Sequence, residues 1–253
     1  MDSWAVGAAT TLWIYAGLCV VTCLAGTMRG FAGFGSGLLM APVFSLAMPP
    51  ADVVVLILAL NLATTFQLMR EALRLVQWPL VLRLFIPSLA GIPIGLGLIH
   101  LLDPPLIRKM IAVLVALISI ALLSGWYYDA RRGRLSDSVT GLLSGALTSL
   151  AGIGGPPVIL YLLSDRQQSP RAARATCLVF FFLAQIAIIV PLAIGGSIGA
   201  RQGSTMLALL PAYILGNWIG LRAHLWSAGR FQRLGHRASL IILLMTSAAS
   251  FFV

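Results

Sequence analysis

Apolar runs of about 20 residues or more follow one another along nearly the whole chain, and each is long enough to cross a bilayer. A helix rises 1.5 Å per residue, so about 20 residues span a hydrocarbon core of roughly 30 Å. Between charged or proline-rich breaks the runs are Thr11–Met48, Ala51–Met69, Pro79–Leu102, Leu106–Tyr127, Ser136–Leu163, Ala172–Ile194, Thr205–Leu225 and Leu234–Val253. Lipid supplies no water to satisfy an open strand edge, which makes helices the default. The runs are continuously apolar rather than alternating, which argues against a barrel. The expected fold is therefore an all-α integral membrane protein with about eight transmembrane helices. Composition agrees, because only 9% of the residues are charged, against about 25% in soluble domains.

The formal charge of +10 raises the question of nucleic acid. The basic residues, however, fall in ones to threes between apolar runs and form no single patch. Lys and Arg so placed belong to loops at lipid headgroups, so the bilayer is the expected surface and no nucleic acid is expected. Cys19, Cys23 and Cys177 all lie inside apolar runs, and no His or second Cys pair completes a metal set. They read as small packing residues, with no metal and no cofactor expected. The first apolar run is too long for a cleavable signal, and Asp2 rather than a basic region opens the chain. That segment is expected to be retained.

Three landmarks recur in the same order. Gly33-Phe34-Gly35-Ser36-Gly37 corresponds to Gly152-Ile153-Gly154-Gly155-Pro156. Pro87 with Gly91 and Gly95 corresponds to Pro211 with Gly216 and Gly220. Leu106-Ile107-Arg108-Lys109 corresponds to Phe231-Gln232-Arg233-Leu234. Internal repeats of this kind mark transporter folds. They divide the chain into a first four-helix repeat (1–128), a basic linker (129–135) and a second four-helix repeat (136–253).

Each glycine cluster interrupts a run longer than one crossing requires. Glycine weakens a helix and proline removes a donor, while Pro156-Pro157 suit the first turn of a new helix. The expected geometry is a broken first helix in each repeat, Thr11–Met28 then Ser36–Met48, and Ser136–Leu150 then Pro157–Leu163. Such breaks survive at membrane depth only where they line a cavity or are buried in protein. The N-terminus of a half-helix presents unpaired N–H groups and a partial positive charge, so two of them meeting would bind an anion. The alternative is that these glycines serve only close helix packing. The acidic residues all fall at segment ends, which leaves no mid-span carboxylate. Arg29 lies just before the first cluster, and an intramembrane charge is a functional candidate by default; otherwise it snorkels to headgroups. The expected substrate-binding set is Arg29, Gly33, Gly35, Ser36, Gly37, Asn61, Gly152, Gly154, Gly155, Pro156 and Gln185. Asn61 and Gln185 lie on the helices that follow the two breaks. Thr148, Ser149, Tyr161, Tyr213, Gln67 and Asn217 are polar too, with helix–helix glue as their ordinary role.

The sequences Arg29-Gly-Phe-Ala-Gly-Phe-Gly-Ser-Gly-Leu-Leu-Met-Ala-Pro42 and Gly145-Ala-Leu-Thr-Ser-Leu-Ala-Gly-Ile-Gly-Gly-Pro-Pro157 resemble the sulfite exporter TauE/SafE family, also called the 4-toluenesulfonate uptake permeases. The resemblance extends over nearly the whole chain. It implies a multi-pass transporter of the bacterial-type plasma membrane for sulfite, a sulfonate or a related organosulfur anion. The second cluster reads Gly-Gly-Pro-Pro where many relatives continue with a further glycine. The function expected is transport of a small anion by alternating access, with a coupling proton or cation as a further partner and a homo-oligomer left open. A passive anion channel is the alternative. An intramembrane enzyme fits less well, because Ser36 lacks the Gly-x-Ser-Gly setting of a rhomboid-type nucleophile, no histidine sits mid-span, and metal-ligand clusters are absent.

Overall fold

The computed structural model describes residues 3–123, 133–163, 169–196 and 198–226. The expected last span Leu234–Val253 and the landmark Phe231–Leu234 lie outside the described residues. Nine helices are described: α1 (Ser3–Ala32), α2 (Ser36–Ala47), α3 (Pro50–Leu75), α4 (Trp78–Leu101), α5 (Pro104–Leu123), α6 (Arg134–Ala151), α7 (Gly155–Leu163), α8 (Pro170–Ile194) and α9 (Ala200–Trp226). Prolines open several of them, with Pro50, Pro79, Pro104 and Pro170 in first turns, where the missing N–H costs nothing. Tyr15–Ala32 of α1, α3, α4, Arg171–Ile194 of α8 and α9 are long and apolar enough to cross a membrane. With the apolar α2, they make this a multi-pass helical membrane protein.

Four pairs of glycines fix the arrangement. Gly26 and Gly30 on α1 face Gly216 and Gly220 on α9, and Gly91 and Gly95 on α4 face Gly141 and Gly145 on α6. A Cβ at any of these eight positions would stand 2.0–2.6 Å from a carbonyl oxygen of the opposite helix. Each pair is spaced i, i+4, the Gly-xxx-Gly pattern that lets two helix backbones touch in a membrane. Both seams join helices that are far apart in sequence. Ser149 Oγ reinforces the α4–α6 seam by donating to the Ile92 carbonyl at 2.9 Å.

The chain leaves the helical path after α1 and again after α6. Gly33 and Gly35 have φ of 86° and 96°, and Gly152 has φ of 69°, a left-handed backbone that costs an L side chain roughly 1–2 kcal/mol. At the second site Gly152 N–H closes on the Thr148 carbonyl at 2.9 Å and Ile153 N–H on the Leu147 carbonyl at 3.3 Å. The last carbonyls of α6 are satisfied in this way. α1 runs one turn further than the sequence suggested, so Arg29 sits in its last helical turn. There a cation offsets the partial negative charge of a helix end.

The expectation for Ser136–Leu163 as two pieces of one continuing span needs correction. Were α7 to prolong α6, Asp137 and Tyr161 would lie about 36 Å apart. Instead the Tyr161 hydroxyl donates to the Asp137 carboxylate and lies 3.2 Å from Ser136 Oγ. α7 therefore folds back along α6. α2 is enclosed by protein: Leu38, Leu39, Met40, Ala41 and Phe44 are all buried, and it packs on α1, α3 and α5. An all-round apolar helix is stable only in such a place.

Candidate functional site

The two departures from helix meet. A Cβ on Gly37, in the first turn of α2, would come 2.0 Å from the Gly152 carbonyl oxygen, so the two backbones are in direct contact. A cavity of about 30 Å³ lies where they join, room for about two waters. All eleven residues expected from the sequence line it: Arg29, Gly33, Gly35, Ser36 and Gly37 from the first break, Asn61 from α3, Gly152, Gly154, Gly155 and Pro156 from the second break, and Gln185 from α8. Phe34, Leu38, Thr148, Ile153 and Phe181 complete the lining.

Arg29 carries the charge. It is 3% exposed, and its Nη2 donates to Thr65 Oγ1 at 2.7 Å, which donates in turn to the Asn61 carbonyl at 2.7 Å. Its Nη1 is buried with no partner. The ion pair found among the described residues joins Arg83 and Asp137, so among those residues no carboxylate pairs with Arg29. A guanidinium so placed costs several kcal/mol unless an anion or oxygen ligand meets it.

Backbone donors lie beside it. Gly35, the residue preceding α2, makes no side-chain cap, so the first-turn N–H groups of Ser36, Gly37 and Leu38 keep the donor capacity of a free helix start. The start of α7 is poorer. Its second and third residues are Pro156 and Pro157, which have no N–H to offer. The two breaks are therefore unequal, with α2 and Arg29 supplying most of the positive potential. Two backbone acceptors nearby are tied up: Ser144 Oγ donates to the Gly154 carbonyl at 2.5 Å, and Arg174 Nη2 donates to the Gly30 carbonyl at 2.8 Å.

Asn61 is held from two sides. Ser36 Oγ donates to its Oδ1 at 2.8 Å, and the Tyr213 hydroxyl donates to the same oxygen. With Oδ1 occupied twice, the amide nitrogen is the end left to act as a donor. Gln185, 4% exposed, has a buried Oε1 with no partner. Thr65 and Tyr213 sit behind the lining and act through Arg29 and Asn61. Thr65 lies four residues after Asn61 and Phe181 four before Gln185, on the same helix faces. That spacing is the signal by which both could have been found.

A model of the sulfite exporter TauE/SafE family matches residues 18–251. The chain belongs to the sulfite exporter TauE/SafE family. Neither a curated protein nor a solved structure matches it. The family is one of membrane transporters, in keeping with the spans described above. In this TauE/SafE protein the Arg29–Pro42 and Gly145–Pro157 motifs form the two walls of one cavity. Cys19, Cys23 and Cys177 are free thiols, and the described residues hold no cluster of His, Cys, Asp and Glu suited to a metal.

Proposed function

We propose that the protein moves a small sulfur oxyanion, sulfite or a sulfonate, across a plasma membrane, and binds it at the cavity between the two glycine breaks. The observation that carries this reading is the buried Arg29, with one N–H end unpartnered beside the uncapped start of α2. An oxyanion accepts from both at once, and charge-assisted hydrogen bonds are the strong ones. The Asn61 amide nitrogen adds a donor, and Gln185 orients the bound group. The same reading takes transport as alternating access around this small cavity, with its two walls parting to release the anion. It also takes the chain as two repeats, each opening on a helix that ends at its glycine cluster and is followed by a short second helix.

Flux of sulfite into proteoliposomes containing the purified protein tests the proposal. Uptake is expected to saturate, and Arg29→Ala to lower it at least tenfold, since a hydrogen bond to a charged group is worth about 1.5–3 kcal/mol. Unsaturable flux would point to a channel instead. Wild-type flux in Arg29→Ala would remove the anion site from this cavity.

A further inference from the structure

A second set of charges lies between the anion cavity and the end of the bundle where α3 and α9 finish and α8 begins. Glu71, Arg171, Arg174 and His224 line a small pocket there. Arg171 and Arg174 stand three residues apart on α8, with Cys177 a further three along, so all three share one helix face. Burial deepens along that line: Arg171 is exposed, Arg174 half-buried and Cys177 buried. Arg174 reaches inward. Its Nη2 donates to the Gly30 carbonyl at 2.8 Å, and a Cβ on Gly33 would come 2.8 Å from its Cγ and 3.2 Å from its Nε. Gly33 is part of the cavity lining, so the Arg174 side chain lies against the outside of that wall.

The ordinary role for such a residue is a cap. A cation suits the last carbonyls of α1, and Arg174 serves one of them. That role leaves its Nε buried with no partner. It also leaves the sign of the cluster unexplained, because Arg171 and Arg174 stand in the opening turns of α8, the end of a helix where a cation is unfavourable. Snorkelling to headgroups would carry the Arg174 guanidinium outward, whereas it turns to Gly30 and Gly33. Glu71 shares the pocket, but the ion pair found among the described residues lies elsewhere. Arg171, Arg174 and then Arg29, at 3% exposed, therefore form a line of positive charge from the end of the bundle to the site. Gly33, against which Arg174 packs, closes on the Arg29 carbonyl at 2.6 Å.

We infer that Arg174 is a relay for the transported oxyanion, a second binding group on the path between Arg29 and this end of the bundle. In this structure the bond to Gly30 keeps α8 closed over Gly33. When α1 and α8 part, the guanidinium gives up that carbonyl and offers Nη2 and Nε together to the oxyanion, the bidentate match of an arginine fork. Cys177 lies on the inner side of Arg174. It belongs to the apolar cluster that holds Phe34 and Phe181 of the cavity lining, and both Arg29 and Arg174 act on it electrostatically. A path from Arg174 to Arg29 therefore runs beside Cys177, and that thiol reports on its opening and on the charge of what enters.

The inference rests on the transporter reading, but its test needs no sulfite. With Cys19→Ala and Cys23→Ala in place, Cys177 is the remaining thiol of the chain. Proteoliposomes of this protein are treated with two methanethiosulfonate reagents, one bearing a sulfonate and the other a trimethylammonium group, and modification of Cys177 is followed by mass spectrometry. Each rate is divided by that of the same reagent with a small thiol in solution. The sulfonate reagent should then be favoured by at least about tenfold, the gain of a positively lined cleft. Arg174→Gln should cut that preference several-fold, and Arg174→Lys should keep it. Glu71→Gln removes the one negative charge of the pocket and should raise the preference, a gain that misfolding cannot imitate. A cap with no part in the path would leave the ratio alike in all of these proteins. Failure of both reagents to reach Cys177, or an unchanged ratio in Arg174→Gln and Glu71→Gln, overturns the inference. Absence of sulfite flux in the unmodified protein overturns the transporter reading instead, and the labelling ratio still decides whether an anion path passes Arg174.

Discussion

Gly37→Ala is the smallest change that tests whether the two breaks touch. The added Cβ would stand 2.0 Å from the Gly152 carbonyl oxygen and 2.9 Å from its carbonyl carbon. Unstrained carbon–oxygen contacts in proteins lie at about 3.3–3.6 Å, so α2 and the Gly152 turn must separate by about 1.3 Å. Neither neighbour yields easily, because Gly152 is pinned by its bond to Thr148 and α2 is buried among Leu56, Ile57 and Ile111. Overpacking of this kind costs about 1–3 kcal/mol. Because the displacement falls between the two walls of the site, we expect sulfite transport to drop at least tenfold in protein that still inserts. The control is Gly17→Ala in α1, where a Cβ meets nothing within 4 Å and helix propensity gains up to about 1 kcal/mol. Thermal unfolding in detergent and proteoliposome flux measure both variants. A Gly37→Ala protein that melts and transports like the wild type refutes the backbone contact on which the site is built.

Gln185→Leu separates function from stability. It removes a buried acceptor without a partner, so the melting temperature should hold or rise while sulfite flux falls; a fall in both would mean that Gln185 is structural. Tyr213→Phe deletes one of two donors to Asn61 Oδ1, and should cost about 1 kcal/mol in denaturant unfolding while raising the half-saturating sulfite concentration several-fold. Adding Ser36→Ala should cost more than the sum of the two single changes, since the Asn61 amide then loses both anchors. Gly91→Ala places a Cβ 2.1 Å from the Leu142 carbonyl oxygen and should destabilise by at least 1–3 kcal/mol, read as loss of the monodisperse peak in detergent size exclusion.

The lining of the site was legible because the constraints on it are local. A membrane helix breaks only at residues such as Gly33, Gly35 and Gly152, and an interrupted backbone at membrane depth must border a cavity or be buried in protein. The helix starts near Pro50, Pro79 and Pro170 were legible within two residues. Where no proline marks the end they were not: α1 begins eight residues before Thr11, α3 runs six past Met69 and α9 begins five before Thr205. The fold-back of α7 was not, because it depends on Tyr161 meeting Asp137 24 residues away, and nothing in either residue's neighbourhood announces the other. The burial of Asp137 was hidden for the same reason. Tyr213 reaches Asn61 from across 152 residues, a pairing of a residue that reads as ordinary helix glue with one expected in the substrate-binding set. The seam partners had a written signal in the four Gly-xxx-Gly spacings, but the sequence does not say which seam meets which.

The two seams also bear on how the polypeptide comes to be assembled. α1 is joined to α9 and α4 to α6, so each seam takes one helix from either side of residues 124–132. Neither portion can complete its own glycine contacts. The first portion made by a ribosome must wait in the lipid with the Gly26–Gly30 and Gly91–Gly95 faces uncovered until the second arrives. Two separately encoded fragments, cut within that stretch, should therefore be degraded when made singly and recover a folded, interlocked molecule when made together.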